Sequence, residues 1–323
     1  MTEFLIQLAQ IFLVVALAPL VTGWVRLVKA RLQGRVGASA LQPYRDLYRL
    51  LQQEAVVAHS ASWLFRVAPY VTFSAVWLAA VLIPTFTTDL ILAPAADLIA
   101  LVALLGVARF WTALAGLDVG TAFGGLGASR EMMIASLAEP AMLMVTFSLS
   151  LVSGSTAPSQ IIAFVLSGSV GIEVSMGLAL AALVIVAVAE NGRIPIDNPS
   201  THLELTMVHE AMVLEYSGRH LALMEAAGMV RLTLFLALIG GLFAPWGIAQ
   251  AGAGWGEWRW GWEHSLPKAL PWPRPWRCSR PGSPRCGCSA MPISWAARCC
   301  WGCWRRSSST CRRRCDGSRA DLL

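Results

Sequence analysis

The chain has 323 residues, 56% hydrophobic and only 14% charged, with a mean hydropathy of +0.59 and a formal net charge of +6. A soluble domain carries about a quarter charged residues, so this composition points to a polytopic membrane protein. The positive balance does not indicate nucleic acid: the basic residues fall in loops and a C-terminal tail, and no aromatic-and-basic groove can be assembled from them.

A bilayer-crossing helix needs about 20 apolar residues, and candidates lie at 4–25, 67–88, 94–115, 132–153, 173–190 and 229–249. The stretch 159–171 is apolar but short and Gly/Ser-rich, and reads as a lead-in to the fifth span. The first span is no cleavable signal, since it opens with Glu3, lacks a basic n-region and runs too long. The fold class expected is an all-α polytopic membrane protein with about six transmembrane helices. Between the first two spans lie Arg26, Lys29, Arg31, Arg35, Arg45, Arg49 and Arg66 against Asp46 and Glu54. The positive-inside rule puts that loop in the cytoplasm and the N-terminus outside. The loops 116–131 and 191–228 then share the cytoplasmic side with Arg130, Arg193 and Arg219, while the connections near 85–93 and 154–158 hold no Lys or Arg.

In the first loop, "RLQGRVGASALQPYRDLYRLLQQE", Gly34 and Gly37 allow a tight turn and Pro43 opens an amphipathic helix with Leu47, Leu50 and Leu51 on one face. By itself it reads as a surface helix at the lipid headgroups. Further on, "GLGASREMMIASLAEPAML" places Arg130 and Glu131 at the start of a span, with Glu139 two turns deeper. An ionisable residue within a span marks an ion or proton path by default. The alternative for Glu139 is a structural hydrogen bond beside a kink at Pro140, and Arg130–Glu131 reads as an interfacial pair.

The densest polar stretch is "AENGRIPIDNPSTHLELTMVHEAMVLEYSG", residues 189–218. Glu190 ends the fifth span, and Pro195 and Pro199 break the helix. Ser200 or Thr201 then caps a new helix, with Glu204 at capping-box spacing. On that helix Glu204, Val208, Ala211 and Glu215 share a face, while Glu210 points elsewhere. His202 and His209 do not form the His-Glu-x-x-His pattern of a zinc protease. Carboxylates this close together under low dielectric hold one another's protons, as a relay requires; the plainer alternative is a solvated acidic helix. The proton-path candidates are Glu139, Glu190, Asp197, Glu204, Glu210, Glu215 and Glu225. The sequence offers no Gly-rich phosphate loop, no nucleophile–base constellation and no credible metal site, so the chain is not expected to run chemistry alone.

Beyond about Gly254 the composition breaks: nine of the fourteen tryptophans, all eight cysteines, seven prolines and twelve arginines lie there. Only Cys300-x-x-Cys303 has the spacing of a metal knuckle. The genetic code offers another account. Cys-Cys-Trp is encoded TGY-TGY-TGG, and reading from the third base of each codon gives YTG-YTG, which is Leu-Leu. The same shift permits Leu-Arg-Leu-Phe-Arg within "PRCGCSA". The chain is therefore divided into a membrane domain, 1–250, and a tail, 251–323, expected to be a frameshift product.

The stretch from Glu190 resembles the signature of the membrane component shared by respiratory complex I (its subunit 1) and group 4 nickel–iron hydrogenases. It does so through Glu190, Asn191, Arg193, Pro195, Asp197, Pro199, Glu204, Leu205 and then Glu215-Tyr216-Ser217-Gly218. Gly34, Arg35, Gly37 and Pro43, followed by Asp46 and Glu54, are similar to a second family motif, and "GASREMMIASLAEP" to the start of the family's fourth span. The extra Gly192, Asn198 after Asp197, and "STHLELTMVHEAM" look like the formate hydrogenlyase / hydrogenase-4 branch. The resemblance covers about residues 4–250 and implies an eight-helix subunit of the bacterial cytoplasmic membrane. That subunit docks a nickel–iron large subunit and an iron–sulfur small subunit, beside antiporter-like membrane partners. It implies that the carboxylates couple redox chemistry in the arm to proton movement, and that Arg35, Pro43, Asp46, Arg130 and Arg193 contribute to docking. It places nickel–iron and iron–sulfur centres on partners and none on this chain. In complex I the same region lines a quinone cavity, and the hydrogenase-like departures speak against a quinone here. Two other readings are a subunit of a quinone-linked dehydrogenase and a non-conducting scaffold. A free-standing transporter would show internal repeats, which are not seen.

Overall fold

A computed structural model describes residues 2–35, 37–58, 60–84, 96–166, 174–193 and 208–243. The expected tail 251–323, and with it Asp197 and Glu204, lie outside the described residues. Among the described residues the chain is helical throughout: α1 (Thr2–Leu32), α2 (Gln42–Gln52), α3 (Trp63–Leu82), α4 (Leu98–Asp118), α5 (Ala122–Ser153), α6 (Pro158–Leu166), α7 (Val174–Glu190), α8 (His209–Val213) and α9 (Gly218–Phe243). Five are long and apolar enough to cross a membrane: Gln10–Leu32 within α1, and α3, α4, α5 and α9. The expected fifth span is α7, apolar but only 17 residues long among those described. Of the expected lead-in 159–171, the described part lies in the short helix α6, with Ile161 and Ile162 buried, and 167–171 lie outside the described residues.

The helix starts follow from capping chemistry. Ser62, Asp97 and Thr121 sit in extended backbone, and their side-chain oxygens accept from Leu64 N, Ile99 N and Gly124 N at 3.2, 3.0 and 3.2 Å. Pro43 opens α2, as expected, because its missing N–H costs nothing in a first turn. α5 ends on Gly154, whose φ of 75° closes the last turn.

Two expected loops are corrected. The loop 116–131 is only the turn between Asp118 and Ala122, and α9 starts at Gly218, well inside the expected loop 191–228. Hydropathy falls at Arg130–Glu131 and at Arg219–Glu225, yet the backbone stays helical through both, since arginine and glutamate are good helix formers whether paired or exposed. The single helix expected to align Glu204 with Glu215 is also corrected. Glu204 lies outside the described residues, but Val208 has φ −120° and ψ −75°, outside the helical region, and α8 spans only five residues, so Glu215 falls in the turn beyond α8 and not on the expected helix. α3 packs against α4 and α9, and α5 against α4 and α7. The main core joins residues of α1, α3, α4, α5, α6, α7 and α9, among them Val76, Leu101, Leu149, Ile161, Leu183 and Phe235.

Candidate functional site

The α4–α5 hairpin turns so tightly that residues equidistant from Gly120 face each other across it, and Arg109 and Glu131 are such a pair. Arg109 is 2% exposed, and its guanidinium meets three carboxylates from two helices. Its Nε lies 3.4 Å from Glu131 Oε1, its Nη1 3.9 Å from Glu139 Oε1, and its Nη2 pairs with Glu190 Oε1 at the end of α7. Glu190 is 6% exposed, in a place where the negative end of the helix dipole disfavours a carboxylate. Arg231 of α9, also buried, offsets this by donating from Nη1 to the Glu190 carbonyl at 3.3 Å. A buried carboxylate without such partners would be far more costly than any surface pair. Among the described residues Arg109 Nε and Nη1 and Arg231 Nε make no hydrogen bond, so the cations hold donor capacity in reserve.

The end of α7 is shaped by Gly192, the residue that interrupts the family signature. Its φ is 52°, its N–H donates to Ala189 O at 3.1 Å, and the N–H of Arg193 donates to Val188 O at 3.1 Å. This is the paired bonding of a left-handed helix cap. Asn191 adds Nδ2 to Ala187 O at 2.7 Å. The cap stops α7 so that Glu190 remains in the bundle and Arg193 emerges at the surface.

Of the sequence-predicted carboxylates, the structure brings Glu139 and Glu190 together through Arg109. Glu131, expected in an interfacial pair with Arg130, instead turns inward to Arg109. Glu210 is exposed in the first turn of α8, Glu215 is half-buried just beyond it, and Glu225 lies on an exposed face of α9. Among the docking candidates Arg35 is exposed, Pro43 is buried at the start of α2, and Asp46 accepts from Gln42 Nε2 at 2.8 Å. Arg130 is half-buried on α5.

The match to the family described as NADH dehydrogenase runs over residues 5–266. The chain belongs to that family. It is 35% identical to formate hydrogenlyase subunit 4 of Escherichia coli K12 over 75% of this chain and 78% of the relative. It is 36% identical to hydrogenase-4 component C of the same organism over 75% and 76%. An NADH-quinone oxidoreductase subunit of Bordetella pertussis is 33% identical over 67% of this chain and 64% of that relative. A chain in the structure of the membrane-bound sulfane sulfur reductase, an archaeal respiratory membrane complex, has the same fold, with a TM-score of 0.63 at 20% identity over 75% of this chain and 79% of its own.

In this member of the NADH dehydrogenase family, sequence reasoning passed over Arg109 and Arg231, although each sits in an expected span. The rule that singled out Glu139 would have found both. It also missed what Tyr216-Ser217-Gly218 does. The Tyr216 ring stacks on Phe65 with centroids 4.0 Å apart, and its hydroxyl donates to Phe65 O at 3.1 Å. Burial, with a smaller contribution from Asp118, pushes that phenol well above its usual range, so it stays a donor. Ser217 Oγ accepts from Val56 N and donates to Val56 O, both at 2.8 Å. Gly218 has φ +52°, and a Cβ there would lie 2.5 Å from Glu54 O. From the other side, Asp118 accepts from Ser62 N and Oγ at 2.8 and 2.7 Å. The segment 53–62 is thus clamped between the α4 end and the α9 start. α8 is seated similarly, because a Cβ on Gly127 of α5 would come within 2.9 Å of Ala211 Cβ and Val208 O.

Proposed function

We propose that this chain is the membrane-anchoring, proton-path subunit of a membrane-bound nickel–iron hydrogenase complex of formate hydrogenlyase type. The observation that carries the proton role is the buried Arg109 shared by Glu131, Glu139 and Glu190. A guanidinium that meets three carboxylates at once holds none of them alone, so a proton arriving on Glu190 frees Arg109 toward Glu139. Charge then moves along the row without any group leaving its helix. The hydrogenase assignment is supported by the two relatives named formate hydrogenlyase subunit 4 and hydrogenase-4 component C. On this reading the redox centres sit on a nickel–iron large subunit and an iron–sulfur small subunit, and none on this chain. The clamped segment 53–62 and the 191–217 side face that arm in the cytoplasm, with the N-terminus outside and antiporter-like subunits alongside in the inner membrane. The relatives named as NADH-quinone oxidoreductase subunits favour a second reading, the equivalent place in a quinone-linked dehydrogenase.

The test is to tag the N-terminus, purify from membranes in mild detergent, and identify the co-purified proteins and their nickel content. A nickel-bearing large subunit is expected; a nickel-free one with a quinone-reducing arm would select the second reading. In inverted vesicles Glu190→Gln should abolish redox-driven proton movement while nickel-dependent hydrogen chemistry with a soluble donor persists. Unchanged proton movement would make the chain a scaffold.

A further inference from the structure

The α4–α5 pair carries an open groove that the cluster leaves unfinished. A cavity of about 510 Å³ lies along the hairpin, walled by Val102, Val107, Phe110 and Met132, with Glu139 and Arg109 as its charged lining. Gly106 makes the room: a Cβ there would stand 3.3 Å from Glu139 Oε1. Glu139 lies seven residues into the expected span 132–153, roughly 10 Å from its start at 1.5 Å per residue, within the hydrocarbon core of a bilayer. Its side chain is nonetheless 43% exposed, although Arg109 behind it is 2% exposed. The rim is apolar, with Phe110 at 53% and Val107 at 43% exposure.

A carboxylate cannot face hydrocarbon in this way without a partner. Among the described residues the cluster holds two guanidinium groups, Arg109 and Arg231, against three carboxylates, Glu131, Glu139 and Glu190. One positive charge is lacking, and Glu139 has the longest of the three pairs to Arg109. The cavity is far larger than the roughly 30 Å³ share of a single water, and its walls suit an aliphatic stem with a charged tip.

We infer that the α4–α5 groove seats a membrane-spanning helix of a neighbouring subunit, and that this helix places a lysine against Glu139. The contact completes the charge balance and is the point at which the proton path leaves this chain. The inference rests on the reading of the chain as one subunit of a proton-coupled membrane complex. A lipid headgroup in the groove, or a proton on Glu139 with no partner helix, are the competing outcomes.

The experiment uses the complex in native membranes, with a benzophenone amino acid at Phe110 and, as control, at Ile185 on an exposed face of α7. Irradiation at 110 should link this chain to one membrane helix whose adduct lies within one turn of a lysine, and irradiation at 185 should not give that peptide. Glu139→Gln should lower recovery of the linked subunit at least fivefold without lowering the amount of this chain. Glu139→Lys combined with the partner's lysine changed to glutamate should restore recovery to within twofold. Adducts to lipid alone, or to a helix with no basic residue within a turn, would overturn the inference. So would unchanged recovery with Glu139→Gln. Lipid adducts alone from a preparation that still contains the nickel-bearing subunit would leave the function reading standing. A lysine-bearing adduct from a nickel-free preparation would leave only the groove standing.

Discussion

At one end of the stretch 189–218, Glu190 turns into the bundle and is held by two arginines from other helices. At the other end, Tyr216, Ser217 and Gly218 turn onto the segment 53–65 and hold it by a ring stack, three hydrogen bonds and a close backbone approach. The first region is electrostatic: Arg109 and Glu190 are buried, so their charges must be matched by one another. The second is steric and local, and every polar atom it uses is satisfied by backbone. A chain segment rich in carboxylates thus serves two purposes. The residues of this stretch that build the clamp are the uncharged ones that follow its last acid, Glu215.

The largest effect is expected at Arg109. Arg109→Leu leaves Glu131 and Glu190 buried without their counter-charge and should destabilise the purified complex by about 3–5 kcal/mol. Thermal unfolding in detergent measures it, and a loss below ~1 kcal/mol would mean that the cluster is solvated. Gly218→Val tests the other region. It forces a β-branched side chain into a left-handed backbone and into Glu54 O, so roughly 3 kcal/mol or more should be lost. The clamp should then open, read as new protease cleavage within 53–62 while the α4–α5 hairpin stays protected. Tyr216→Phe keeps the ring stack and removes only the hydroxyl's bond to Phe65 O, for a smaller loss of about 1 kcal/mol and no change in proton movement. The smallest effect belongs to Glu225→Gln. On an exposed face of α9 this change should stay within about 0.5 kcal/mol of the parent and leave proton movement intact. If it matched Glu190→Gln, the proposed proton path would extend well beyond the Arg109 cluster.

Much of the chain was legible before its structure. Apolar runs marked most of the spanning helices, because a helix facing lipid must be apolar nearly all round. Pro43 marked the start of α2, and Glu139 and Glu190 stood out as charges where hydropathy forbids them. Glu131 was misplaced because its neighbour Arg130 offered a nearer partner in sequence, and nothing local shows that the turn closes at 119–121. The capping role of Gly192 was hidden too, since an inserted glycine looks the same in a linker as at a helix end.

The sequence by itself determined that the chain is a helical membrane protein of this signature, because span length and charge placement are local properties set by the bilayer. Which charges meet was decided only by the tertiary structure. Arg109, Glu139, Glu190 and Arg231 come from α4, α5, α7 and α9. A guanidinium chooses its carboxylates by distances of a few ångströms across packed helices, which no spacing along the chain can fix.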